Sequence, residues 1–162
     1  MGCAEGRPES KKQSLIASKN SSKHQFEVYA AFKQNNIDKI KLLLQTSFDI
    51  KYKMPSFMGR TVLHLAAEFS DKSFIAFLIN SGAEVNALDN SGCPPIYLAM
   101  RCGKLDVVSA ILEISSHVNI NIVTNHNLSF HDFINKSQYK ESLNLLKKIN
   151  YSKLNLVNTN NL

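Results

Sequence analysis

The chain has 162 residues, 44% of them apolar, which suits one compact domain or one short solenoid with a continuous core and excludes wholesale disorder. The net charge of +6 sits in the flanks: five Lys/Arg face two Glu in residues 1–25 and five Lys face two acids in 124–162, while 59–123 hold four basic and six acidic residues. A folded basic stripe with interleaved aromatics is therefore missing from the sequence, and no nucleic-acid partner is expected.

In chain order, residues 1–21 read as a flexible basic tail, polar and containing Pro8, two glycines and several serines. It opens with Met1-Gly2-Cys3, which resembles the start of doubly acylated proteins: Gly2 would carry myristate and Cys3 palmitate, although Gly6 stands where such starts usually have Ser or Thr. Arg7, Lys11, Lys12, Lys19 and Lys23 would add attraction to an anionic inner leaflet. No apolar run is long enough to span a bilayer and no secretory signal precedes the domain. The expected location is cytoplasmic, at the cytosolic face of a membrane if the tail is acylated, with the nucleus as an alternative. Cysteines at 3, 93 and 102 fit neither a disulfide framework nor a zinc knuckle, so reduced thiols are expected.

At Ser22 a helix signal begins, since Ser22-Lys23-His24-Gln25 has the form of a capping box. Apolar residues recur at Val28, Ala31, Phe32, Ile40, Leu43 and Leu44, interrupted by Asn35 and Asn36, which predicts two short helices. Laying residues 59–90 over 92–123 then exposes a period of 33. Gly59 meets Gly92, Leu63 meets Ile96, His64 meets Tyr97, Ala66 meets Ala99, Ile75 meets Val108, and Val85-Asn86 meet Val118-Asn119. A shift of 35, with two extra residues in the loop 53–58, brings Tyr29, Ala31, Ile40, Leu43 and Ile50 into the same register.

Within the second unit Thr61 can cap a helix bearing Leu63, Leu65, Ala66 and Ala67, whose alanines let another helix approach closely. Lys72 to Asn80 reads as the return helix, with Phe74, Ile75, Leu78 and Ile79 on its buried stripe and Gly82 ending it in the left-handed region. Asp89-Asn90-Ser91-Gly92 is a turn leading into the next unit. One such helix pair cannot bury its own stripe, so the units must stack, leaving an extended face of first helices and loop tips. The expected domain runs over 22–150, in units of about 24–52, 59–90, 92–123 and 125–150, followed by a tail at 151–162.

The run Gly59-Arg60-Thr61-Val62-Leu63-His64-Leu65-Ala66-Ala67 resembles the opening signature of the ankyrin repeat, with Val62 in place of proline, and Gly82-Ala83-Glu84-Val85-Asn86-Ala87 resembles its closing signature. The third unit departs from the pattern, with Pro94 for threonine and Tyr97 for histidine, which puts its cap hydrogen bonds in question. The fourth, Asn127 to Ile134, lacks the alanine pair and resembles the degenerate closing segments of some arthropod and viral ankyrin proteins. The resemblance implies an all-α solenoid of stacked helix-turn-helix units joined by β-hairpin-like loops. It further implies a protein–protein interaction module without enzymatic activity, cofactor, metal or small-molecule substrate.

Carried over from the family, contact positions fall on Phe57, Met58, Arg60, Glu68 and Phe69 in the second unit and on Leu88, Asn90, Ser91, Cys93, Arg101 and Cys102 at the third. Phe57, Met58 and Phe69 beside Arg60 have an interface composition; the competing reading folds Phe57 and Met58 back onto the first unit. His64 is expected to tie loop to helix start, and His24, His117, His126 and His131 lack ligand spacing. Cys93 and Cys102 lack a histidine arranged for nucleophilic work. Asn86 resembles the acceptor of ankyrin asparaginyl hydroxylation, with a structural turn role as its primary one. Two functions are weighed: an adaptor or scaffold binding a partner protein, tethered at a membrane through its tail, or a small inhibitor resembling those of NF-kappaB. The acidic balance of 59–123 would suit a basic target for the inhibitor.

Overall fold

Residues 22–130 and Asp132 are described by a computed structural model, and the helix boundaries within it follow from local chemistry. The first helix, α1 (Ser22–Lys33), ends where Asn35 enters the left-handed region at φ 51° and Asn36 N–H returns to the Ala31 carbonyl. Asn36 then caps α2 (Ile37–Thr46), its side chain accepting from Lys39 N–H at 3.0 Å. The asparagine pair that interrupts the apolar pattern is thus a stop followed by a start. Val62–Phe69 forms α3, preceded by Thr61, and Lys72–Asn80 forms α4, whose first turn is capped by Asp71 accepting from Phe74 N–H at 2.9 Å. Gly82, at φ +90°, closes α4 with Gly82 N–H on the Ile79 carbonyl and Ala83 N–H on that of Leu78. The third pair is α5 (Pro95–Arg101) and α6 (Leu105–Ile114).

One cap is corrected. Gln25 does not reach back to the start of α1: it is buried, and its carboxamide oxygen accepts from Ser56 N–H at 3.3 Å, in the loop below. A contact across 31 residues has displaced a local one.

The first helices α1, α3 and α5 stack in series, and α4 packs on α6. Ala31, Ala66, Ala67 and Ala99 are fully or almost fully buried between them, the close approach that small side chains permit. The core runs unbroken from Val28 and Phe32 through Leu63, Ile75 and Leu78 to Ile96, Ile111 and Phe130. Each buried Leu or Ile contributes roughly 1.5–3 kcal/mol. Between α2 and α4 the outer helices leave a groove of about 420 Å³ lined by Leu44, Phe48, Ile50 and Phe77.

Successive units are joined by finger-like turns. Met54 N–H bonds the Arg60 carbonyl, Asp89 N–H that of Cys93, and Thr124 N–H that of Leu128. Each closes as a hairpin would, yet among the described residues only an isolated Met54–Arg60 bridge forms and no strand does. The first finger carries the two extra residues as a 3₁₀ turn, Pro55–Phe57. A second two-residue expansion, which the period of 33 passes over, lies between Asn119 and Thr124. The fingers stack: Asn90 N–H bonds the Met58 carbonyl at 2.8 Å and Asn125 N–H the Ser91 carbonyl at 3.0 Å. Gly59 sits at φ +67°, where a Cβ would lie 2.2 Å from Asn90 Oδ1, so any larger residue would strain the backbone and displace the Asn90 side chain of the next finger. The fourth unit opens with Ser129 capped reciprocally by Asp132, at 2.6 Å for Ser129 N–H and 3.3 Å for Asp132 N–H. The expected tails, Gly2 and Cys3, and the remainder of the fourth unit lie outside the described residues.

Candidate functional site

The face formed by α1, α3, α5 and the fingers is positioned by one recurring place in the first helix, occupied by Tyr29, His64 and Tyr97. His64 is fully buried. Its Nδ1 accepts from Thr61 N–H at 3.1 Å and lies 2.8 Å from the Thr61 hydroxyl, so the ring proton is on Nε2, which donates to the Cys93 carbonyl at 3.0 Å. Burial pushes its pKa down from 6.5 to about 4, against the opposing pull of the Cys93 carbonyl and Asp89. The ring is a neutral clamp between units.

Tyr97 performs the same task by different means. Pro94 provides no side-chain cap, but the Tyr97 O–H donates to the carbonyls of Ile120, at 3.2 Å, and Ile122. The longer side chain reaches the expanded stretch between Asn119 and Thr124, and burial pushes its pKa up to about 12. Tyr29 makes the third version, stacking its ring on Phe57 at 4.4 Å.

The expected contact residues divide into three groups. Arg60 and Glu68 are locked together, Arg60 Nη1 to Glu68 Oε2 at 2.7 Å, with Arg60 Nε 3.7 Å from Asp89 Oδ2. Asp89 in turn is buried and accepts from Ser91 N–H at 2.8 Å and Cys93 N–H at 3.0 Å. These charges brace the finger. Cys93 is a correction: it is buried in the core, with burial pushing its thiol pKa up, and so presents no side chain to a partner. Asn86 is a turn residue whose amide donates to the His117 carbonyl at 2.7 Å and accepts from Asn119 N–H at 2.8 Å, joining two units.

The remaining positions face outwards. Met58 and Leu88 are exposed, as are Asn90, Arg101 and Cys102, and Ser91 is half-buried with its carbonyl in the finger ladder. Phe57 folds back on the first unit, as one reading expected, while Met58 does not. Phe57 nonetheless joins a continuous aromatic strip. Phe26, 57% exposed, meets it edge-on at 5.2 Å, and Phe69 meets Tyr29 edge-on at 6.1 Å. The Lys33 ammonium lies 4.4 Å from the centre of the Phe69 ring and 5.7 Å from that of Tyr29. The sequence argument missed Phe26, Tyr29 and Lys33. The available signal was the repeat register, which aligns Lys33 with Glu68 and Arg101.

Among the described residues no group of His, Cys, Asp and Glu could hold a metal ion, and no helix is long and apolar enough to cross a membrane.

A family model described as ankyrin repeats, in three copies, matches residues 28–124. An ankyrin repeat protein of Fowlpox virus (strain NVSL) is 32% identical over 107 residues, which are 66% of this chain and 73% of that protein. The tyrosine-protein kinase Shark of Drosophila melanogaster is 30% identical over 46% of this chain and 8% of its own length. An ankyrin repeat protein of Acanthamoeba polyphaga mimivirus is 29% identical over 49% of this chain and 11% of its own. Ankyrin repeats form a non-catalytic, protein–protein interaction fold. With the stacked helix pairs, the finger turns, and His64 bridging Thr61 to Cys93, these matches show that the chain belongs to the ankyrin-repeat family.

Proposed function

We propose that this chain is an adaptor that holds a partner protein on the face formed by its first helices and finger tips. The observation that carries the reading is the aromatic strip in which Phe26, 57% exposed on that face, is backed by the half-buried rings of Phe57, Tyr29 and Phe69. Rings braced against one another and open to solvent on one side supply the rigid anchors that dominate interfaces. Met58 and Leu88 extend it onto the fingers, at 50% and 38% exposure.

Matched crosslinking tests this. Phe26 on α1 and Leu42 on α2 are equally exposed, at 57% and 58%, but only Phe26 belongs to a first helix and touches the first finger, through Phe57. A photoreactive residue placed at either site in the full chain is irradiated in cell extract. A specific adduct from position 26 and not from position 42 is the expected result. An adduct from position 42 alone overturns the reading.

A further inference from the structure

We infer that the partner segment taken by this face is acidic with apolar anchors, a conclusion that rests on the adaptor reading and adds the partner's chemistry to it. The raw sequence count points the opposite way, with six acids against four basic residues in 59–123. The structure redistributes those charges. Glu68 is held by Arg60 at 2.7 Å, Asp71 caps Phe74 N–H, and Asp89 is buried beneath the Ser91 and Cys93 amides. Glu84 follows α4 and Glu113 lies on the outer helix α6, while Asp106, at the start of α6, shares a pocket with Phe69, Asp71 and the cation Lys104.

The first helices α1, α3 and α5 carry only two acids, Glu27 and Glu68, and each faces a cation. Glu27 lies 3.9 Å from Lys23, and Glu68 is paired with Arg60. The same helices present Lys33 and Arg101, which occupy the places that correspond to Glu68 in the neighbouring units, and both are exposed. Lys53, on the approach to the first finger, is exposed as well. With Glu68 paired to Arg60, the register position shared by Lys33, Glu68 and Arg101 holds an exposed cation in the first and third units.

The aromatic strip lies against the first of these cations. The Lys33 ammonium sits over Phe69 and Tyr29, so a carboxylate arriving there meets a cation held against two aromatic rings. An aliphatic or aromatic side chain one or two positions away would pack on Phe26 and Phe57. A basic segment would instead bring like charge onto Lys33 and Arg101.

The test is selection of a random-peptide display library on the full immobilised chain, followed by binding of the enriched consensus to variants. The expected pool combines Asp or Glu with Phe, Leu or Trp. Lys33→Glu and Arg101→Glu should each weaken the consensus by about threefold to tenfold, and added salt should weaken it further. Lys39→Glu, an exposed change on the outer helix α2, should leave binding unchanged. Circular dichroism confirms that each exposed-site variant is folded. A basic consensus that is lost with Phe26→Ser overturns the acidic assignment and leaves the adaptor reading standing. A consensus insensitive to both Lys33→Glu and Phe26→Ser overturns both, as does a library with no enriched sequence.

Discussion

Lowering the pH from neutrality protonates a group whose neutral form the second finger requires. His64 accepts at Nδ1 from Thr61 and donates from Nε2 to Cys93, an arrangement an imidazolium lacks because it has no acceptor nitrogen. Its folded pKa is about 4, while the unfolded chain titrates near 6.5. Above the higher value both states are neutral and the clamp contributes fully. Between the two values only the unfolded chain binds the proton, so stability falls as the pH falls, and the loss is complete below the lower one. The gap corresponds to about 3 kcal/mol, a large part of the stability of so small a solenoid. Urea unfolding followed by circular dichroism, between about pH 7.5 and 4.5, measures it in the wild type and in His64→Gln. The variant cannot titrate there. It should start about 1–3 kcal/mol less stable, because Thr61 and Cys93 lose well-placed partners, and then lose less on acidification. The remaining histidines and the carboxylates are common to both chains, so the difference between the two curves isolates His64. Parallel curves would refute the buried neutral clamp.

Three further outcomes follow from the packing. Gly82→Ala, with nothing within 4 Å of the new Cβ, should cost only the left-handed backbone strain of about 1–2 kcal/mol. Gly59→Ala should cost about 1 kcal/mol more because of Asn90, and adding Asn90→Ala should erase that excess; equal losses at the two glycines would count against stacked fingers. Tyr97→Phe should lower stability by about 1–2 kcal/mol through the orphaned carbonyls of Ile120 and Ile122, and an unchanged urea midpoint would contradict the bridge. Phe57→Ser should cost about 2 kcal/mol and show a coupling of at least about 0.5 kcal/mol with Tyr29→Ala in a double-mutant cycle, whereas additive losses would mean the rings do not stack as described.

What could be read before any fold was known was local. The bounds of α4, the place of Thr61, the left-handed Gly82 and the turn at 89–92 all follow from residues a few positions apart. The asparagine pair works the same way, one closing α1 and the next opening α2. The internal period added the stacking, because identical helix pairs with apolar stripes have only one another to bury against.

The candidate site was less legible because its side chains are assigned by neighbours that are distant in sequence. Gln25 abandons a local cap for Ser56, and Cys93 disappears beneath the third unit while its carbonyl serves His64. Phe57 lies in a loop that composition marks as a binding tip, yet it finds Tyr29 of the previous unit. Charge shows the division most clearly. The sequence by itself determines the repeat, the helices and the number of charges of each sign, since these depend on order and spacing along the chain. Only the tertiary structure decides which charges reach water, because pairing and burial depend on units folding onto one another. Stacking places Asp89 under a turn and sets Glu68 against Arg60, and leaves Lys33 over two aromatic rings.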